Sequence, residues 1–257
     1  MSINKHSKIN HLLTAYPVGI VLQSSWLSQQ GYSSALQQRY RNSNWLQPIG
    51  KGAMAIAADK IEYEGAVYAL QQQSNLSIHP GGITALSYLG KAHYLQLSIK
   101  NVHLFAGANE RLPKWVSAYN WGLDINYHAS DFLPPSLGLE PYELKNFSIN
   151  ISGAIRAIME CLYLAPAQQD LLECLQLMEA LNNIRPNQAQ ALLQQCQSIK
   201  VKRLFLFMAE KVGHSWFKHL HLDKIDLGIG KRSIVKNGVY DGKYQITIPK
   251  ELAEYGN

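Results

Sequence analysis

Ser34, Gln37, Gln38 and Arg41 recur at helical spacing in Ser34-Ala35-Leu36-Gln37-Gln38-Arg39-Tyr40-Arg41, with no acid among them. Amide and guanidinium groups of this kind hydrogen-bond the edges of adenine and guanine in a major groove. At about 100° per residue, Leu36 and Tyr40 fall on the other side, which predicts a helix with one packed face and one polar face. Arg39 and Arg41 supply cations for phosphate, and Lys51 stands at a Gly50-Lys51-Gly52 tip where it would meet another. The chemistry expected is base reading by Ser34, Gln37, Gln38 and Arg41, with Arg39 and Lys51 anchoring the DNA backbone. A small helical domain whose glutamine-rich face merely meets water would show the same pattern.

The elements around these residues must hold that helix against a duplex. Ile9, Leu12 and Leu13 share one side of a short helix that stops before Pro17, and Val18 to Leu22 is an extended run. Ser24 is placed to cap a helix carrying Trp26 and Leu27, and Gly31 stands where a left-handed C-terminal cap is wanted. The polar helix starts near Ser33. Trp45 to Ile56 reads as two short strands around the Gly-Lys-Gly tip, a β-hairpin. Helix, short helix, turn, helix, hairpin is the order of a winged helix-turn-helix, with the hairpin as its wing. Residues 60–95 predict two helices with stripes Ala66, Val67, Ala69, Leu70 and Thr84, Ala85, Leu86, Leu89. His79-Pro80-Gly81-Gly82 opens the second of them, either as a phosphate-holding helix end or as a tight packed connection.

A succession of short motifs makes this region recognisable. Tyr16-Pro17-x-Gly19, Ser25-Trp26-Leu27, Gln29-x-Gly31-x-Ser33, Trp45-Leu46 and Gly50-x-Gly52-Ala53 resemble the N-terminal domain of AbiEi-type antitoxins. Glu64-Gly65-Ala66-x-Tyr68-Ala69-Leu70, Gly81-Gly82-x-Thr84-Ala85-Leu86 and Gly90-x-Ala92-His93-Tyr94-Leu95 continue the resemblance, which runs from about Tyr16 to Pro249. It implies a transcriptional regulator of a type IV (abortive infection) toxin–antitoxin system. It also implies a C-terminal domain that counteracts a nucleotidyltransferase-like AbiEii toxin without a stable complex. Many relatives begin one downstream helix with Ser-x-Pro-Glu-Arg-Ala. Here the segment is Ser152-Gly153-Ala154-Ile155-Arg156-Ala157, so Arg and Ala match and the Pro-Glu pair is missing.

Further along, Leu97 to Ala106 has strand character, Pro134-Pro135 and Gly138 mark a loop, and Tyr142 to Ile151 looks extended. Helices follow: one capped by Ser152 through Leu164, one opened by Pro166 through Asn182, one opened by Pro186, and one over Lys200 to Val212. Asn237-Gly238 and Asp241-Gly242 are turn signals between Ser233-Ile234-Val235 and Tyr244 to Ile248. Lys231, Arg232, Lys236 and Lys243 would line one edge of that hairpin and meet an anion or a partner; a plain solvated hairpin fits equally. In the family this region is tied to antitoxin activity.

Several chemistries are excluded or set aside. Gly228-Ile229-Gly230-Lys231 is not a phosphate loop, because Ile225 stands where the first glycine belongs and Arg232 where the Mg²⁺-holding Ser or Thr belongs. His214, His219 and His221 have no Cys or paired carboxylates to complete a zinc set. Asp131 with Glu143-Leu144-Lys145 is the sparse pattern of a restriction-type, metal-dependent nuclease, the alternative to a regulator. Cys161, Cys174 and Cys196 fit neither a metal clip nor a disulfide framework. The polar first ten residues and the lack of an apolar run of about 18 argue against secretion and membrane spanning, and for the cytoplasm.

Charge is uneven: the chain of 257 residues has net charge +6, with Lys and Arg concentrated in its first 95 and last 58 residues around an acidic middle. Basic ends suggest a polyanion partner. The expectation is an α+β protein, with a winged helix-turn-helix in residues 1–95 and a mixed α/β antitoxin domain in 96–257. It would bind double-stranded operator DNA of its own operon, without a cofactor, a metal or catalysis.

Overall fold

A computed structural model describes residues 5–92 and 101–255. Helix α1 (Lys5–Ala15) ends before Pro17 and leads to strand β1 (Leu22–Gln23). Helix α2 (Ser24–Gln29) follows without a gap, so Ser24 is its first residue and not its cap; Gln23 holds the cap position, without a side-chain bond to the helix end. Helix α3 (Ser34–Asn42) is capped by Ser33, whose Oγ accepts from the Leu36 N–H at 3.4 Å. Strands β2 (Leu46–Gly50) and β3 (Ala53–Ile56) form the hairpin, and β1 adds to it antiparallel in the order β1-β3-β2. Helix α4 (Tyr63–Tyr68) runs into a π-helical turn over Ala69–Gln73, and the short strand β4 (His79–Pro80) precedes helix α5 (Gly82–Tyr88).

Strand β5 (Asn101–Ala106), helix α6 (Lys114–Ala118) and strand β6 (Asp124–Ala129) come next, with β5 and β6 paired in parallel from Asn101↔Asp124 to Ala106↔Ala129. The part of the expected 97–106 strand before Asn101, the His93-Tyr94-Leu95 motif and the 95/96 domain boundary lie outside the described residues. Strands β7 (Leu139–Glu143) and β8 (Ser148–Ser152) make a two-stranded hairpin. Four helices follow, α7 (Ala154–Leu164), α8 (Leu171–Glu179), α9 (Pro186–Gln195) and α10 (Ile199–Val212). The chain closes with β9 (Arg232–Ser233), β10 (Val239–Asp241), β11 (Ile246–Ile248) and α11 (Lys250–Glu254). In this last sheet β11 is central, antiparallel to β10 and parallel to β9.

Three further expected boundaries are corrected. The helix assigned from Pro166 starts at Leu171, because the Asp170 carboxylate accepts from the Leu172 and Glu173 N–H groups and so fixes the start there. Ser152 does not cap α7: Gly153 does, and the Ser152 hydroxyl donates to Glu160 instead. The sequence between Val235 and Tyr244 is more than turns, since Val239–Asp241 forms a strand of its own. Among the described residues no helix is long and apolar enough to cross a membrane.

The chain forms two compact units that alternate along it. The first comprises the described residues of Met1–His79, Lys100–Ala129 and Pro141–Asn150. Its winged core packs Ile9, Leu12, Ile20, Leu22, Leu27, Tyr32, Tyr40, Leu46, Met54 and Ile56 together. Gln73 completes the free edge of β1 as a strand would, accepting from the Gln23 N–H and donating to the Val21 carbonyl. Tyr40 contributes its ring to this core, but among the described residues its buried hydroxyl has no hydrogen-bond partner. Burial holds that hydroxyl's pKa above its ordinary value, against a smaller lowering by Arg39. An orphaned buried polar group costs about 1–3 kcal/mol. Tyr40→Phe is therefore expected to raise the stability of this unit by about 1–2 kcal/mol in urea denaturation; a destabilised variant would show that the hydroxyl is bonded after all.

The second unit comprises the described residues of Pro80–Ile99, Ser130–Glu140 and Ile151–Asn257. Helices α5, α7, α8 and α10 build its core from Leu86, Ile158, Leu162, Leu175, Met178, Leu204, Phe205 and Met208. Cys161, Cys174 and Cys196 are free and buried there, and burial pushes the Cys196 thiol up to about 11. They act as small apolar residues. A polar cluster runs through this core. The Glu160 carboxylate accepts from the Gly82 N–H at 2.8 Å, the Ser152 hydroxyl at 2.7 Å and Arg156 Nε at 2.8 Å. Arg156 Nη1 goes on to the carbonyls of Pro134 at 2.7 Å and Leu137 at 2.6 Å.

Candidate nucleic-acid interface

Helices α2 and α3 are joined by a tight turn: Gly31 adopts φ +86° after α2, Tyr32 turns into the core, and Ser33 opens α3. The two helices are locked by one side chain, Gln37. Its Nε2 donates to the Tyr32 carbonyl at 2.8 Å, the Ser24 carbonyl at 3.0 Å and Ser28 Oγ at 3.1 Å. Gln37 is 3% exposed. It is thus removed from the base-reading set in which the sequence placed it. The reason is angular: at about 100° per residue Gln37 lies about 60° from Tyr40 and about 60° from Ser34, on the border between the faces. With carbonyls waiting on the α2 side, its amide turns inward.

The outward arc of α3 is centred one step further round. Ser34, Ala35, Gln38, Arg39 and Asn42 are exposed and Arg41 is half-buried. Along this arc Arg41 Nη2 donates to Gln38 Oε1, and Gln38 Nε2 donates to Asn42 Oδ1 at 2.8 Å. The chain of bonds holds three groups that can donate or accept at base edges side by side. Asn42 was missed in the sequence, although its position four residues after Gln38 is the signal that puts it on the same face.

The wing brings a cation beside this helix pair. Gly52 takes φ +83° in the hairpin turn, and its carbonyl accepts from the Ser24 N–H at 2.9 Å, fixing the tip against the start of α2. Lys51, next to it, is exposed. A Cβ on Gly50 would come within 2.7 Å of Trp115 Cβ, so only glycine lets β2 lie against α6. Residues 1–58 contain Lys5, Lys8, Arg39, Arg41 and Lys51 and not one Asp or Glu. That segment forms a positive field with no internal acid to quench it.

The other expected sites fare differently. The Gly82 end of α5 is unavailable to phosphate, because its N–H is already bound by Glu160. Lys231, Arg232 and Lys236 are exposed, with Lys231 Nζ 4.9 Å above the Tyr240 ring. Lys243 pairs with Glu210 at the surface, so its charge is partly offset there. Asp131, Glu143 and Lys145 are each exposed, and no group of three or more His, Cys, Asp or Glu among the described residues is placed to hold a metal ion. His214 Nε2 bonds the Met178 carbonyl at 2.7 Å, which gives this ring a structural role.

Family models place the architecture. Residues 5–97 match the N-terminal domain of the AbiEi antitoxin transcriptional regulators, and residues 99–249 match the AbiEi antitoxin, type IV toxin–antitoxin transcriptional regulator itself. The chain belongs to the AbiEi antitoxin family. No curated protein matches it. Among solved structures, the RV2827C protein of Mycobacterium tuberculosis is similar in fold, with 14% identity and a TM-score of 0.61 over 94% of this chain and 90% of that one. The AbiEi assignment makes this chain a transcriptional regulator and antitoxin of a type IV system.

Proposed function

We propose that this AbiEi antitoxin represses its own operon by laying α3 in the major groove of an operator. Ser34, Gln38, Asn42 and Arg41 would read bases there, while Arg39 and Lys51 hold phosphates. The observation that carries this reading is the acid-free outward arc of α3, in a segment whose only charged residues are cations. Losing Gln37 from the set moves the centre of the reading surface to Gln38 without changing its sign or its hydrogen-bonding character. In the same proposal the protein acts in the cytoplasm without catalysing a reaction, and counteracts a nucleotidyltransferase-like toxin.

Gel shifts on the DNA upstream of its own gene, run at several salt concentrations, test the DNA half. Arg41→Ala is expected to cost about 1–3 kcal/mol and to relax specificity at one base position. Lys51→Ala should weaken all sequences alike and lower the salt slope by about 1. Unchanged binding by both variants would remove α3 and the wing from the interface. Incubation with plasmid and Mg²⁺ is expected to leave the DNA intact; cleavage lost in Glu143→Ala would favour the nuclease instead.

A further inference from the structure

The segment from Asp226 to Arg232 is held in one shape from below. Arg203, on α10, is 2% exposed, and its guanidinium is spent on backbone carbonyls. Nε donates to Leu227 at 2.8 Å, Nη1 to Gly230 at 2.7 Å and Gln245 at 3.1 Å, and Nη2 to Gly228 at 3.1 Å. From the entry side, Asp226 Oδ1 accepts from the Gly228 N–H at 2.8 Å. Gly228 and Gly230 adopt φ +63° and +81°, and a Cβ on Gly228 would lie 3.1 Å from the Ile199 side chain. The residue between them is Ile229, 96% exposed. A fixed loop thus lifts a branched apolar side chain fully into solvent. The next exposed apolar groups of the sheet are Tyr240 at 44% and Val239 at 40%, with Lys231 laid across the Tyr240 ring.

We propose that this loop is a docking knob for a protein partner that offers an apolar socket, rimmed by carboxylates where it meets Lys231 and Arg232. Rigid anchors of this kind lose little freedom on binding, and a few side chains desolvated at the centre of an interface carry most of its binding energy. Charge decides between classes of partner. The loop is bipolar, with exposed Asp223, Lys224 and Asp226 leaving its entry side net negative and exposed Lys231 and Arg232 making its exit side positive. A duplex would surround an inserted isoleucine with phosphates on both flanks, against that net negative side; a protein socket can carry acids on one side only.

The test places a benzophenone amino acid at position 229 of the full chain in its producing cells. The protein cross-linked there is identified, purified and titrated against the wild-type chain. Binding is expected to weaken at least tenfold for Ile229→Asp and for the double variant Lys231→Glu/Arg232→Glu, and to survive in Ile229→Leu. The thermal melt of Ile229→Asp should match wild type, because this side chain supports no core. Cross-links to DNA, to a second copy of the chain or to nothing would overturn the proposal. So would a captured protein whose affinity ignores Ile229→Asp. Gel shifts of Ile229→Asp on the upstream DNA are expected to be unchanged, which separates this surface from the α3 interface.

Discussion

Glu160→Ala should destabilise the second unit by about 3–5 kcal/mol, the cost of leaving a buried ion without its counter-charge. Arg156 and Glu160 have side-chain exposures of 4% and 0%, so no water screens the guanidinium once the carboxylate is gone. The loss is compounded because the same carboxylate receives the Gly82 N–H and the Ser152 hydroxyl. Helix α5, the end of β8 and α7 are thus tied at one point, and all of these ties break together. Glu160→Gln is expected to recover little. An amide offers one acceptor oxygen, and its NH₂ would face either the Arg156 or the Gly82 donor. The informative third variant is Arg156→Met/Glu160→Met, which removes both charges and should restore part of the deficit. It cannot restore it all, since the Pro134 and Leu137 carbonyls lose the donor Arg156 gave them. Chemical denaturation, with hydrogen exchange in peptides from α5 and α7, measures all three. A change below about 1 kcal/mol for Glu160→Ala would show that the cluster is hydrated in solution.

This cluster marks the limit of what the sequence discloses. Helices α1, α3, α9 and α10 and the wing are legible because their signals are local: Pro17, Ser33, Pro186, the Gly50-Lys51-Gly52 tip and apolar stripes at helical spacing. Arg156 and Glu160 are also visible as a pair four residues apart. That Glu160 serves the start of α5, 78 residues earlier, is a non-local fact with no periodic trace. The same holds for Arg203, whose charge in a helix of apolar neighbours reads as surface until the carbonyls 24 to 42 residues later are seen converging on it. Gly228-Ile229-Gly230-Lys231 then changes meaning. As a phosphate loop it fails, yet its glycines have a purpose, since they bend the backbone over that arginine. On α3, the acid-free face and its cations are legible from composition and helical spacing. The inward turn of Gln37 is not, because a helical wheel separates apolar from polar and cannot tell a polar side chain with buried acceptors from one that meets water.

Gln37 and its neighbour Gln38 therefore make opposite predictions from chemically identical side chains. Gln37→Glu replaces a donor by a carboxylate facing the Ser24 and Tyr32 carbonyls, both within 3.0 Å of the present amide nitrogen. Burying that charge among acceptors should cost about 3–5 kcal/mol at neutral pH, by loosening the α2–α3 turn. Protonation would return one donor to the site. Its folded-state pKa must then lie above the unfolded one, so the deficit shrinks as pH falls through the folded value and is full above it. Operator binding should disappear with the fold, and a tenfold excess of protein should not recover it. Gln38→Ala is expected to leave the denaturation curve within about 0.5 kcal/mol of wild type, as an exposed substitution does. It should still weaken specific DNA binding, because in the proposed complex Gln38 is one of the groups that meet base edges, and its loss releases Arg41 and Asn42 from their shared bonds. If Gln37→Glu instead folds normally and loses only base selectivity, the amide faces the groove after all, and the assignment of these two glutamines must be exchanged.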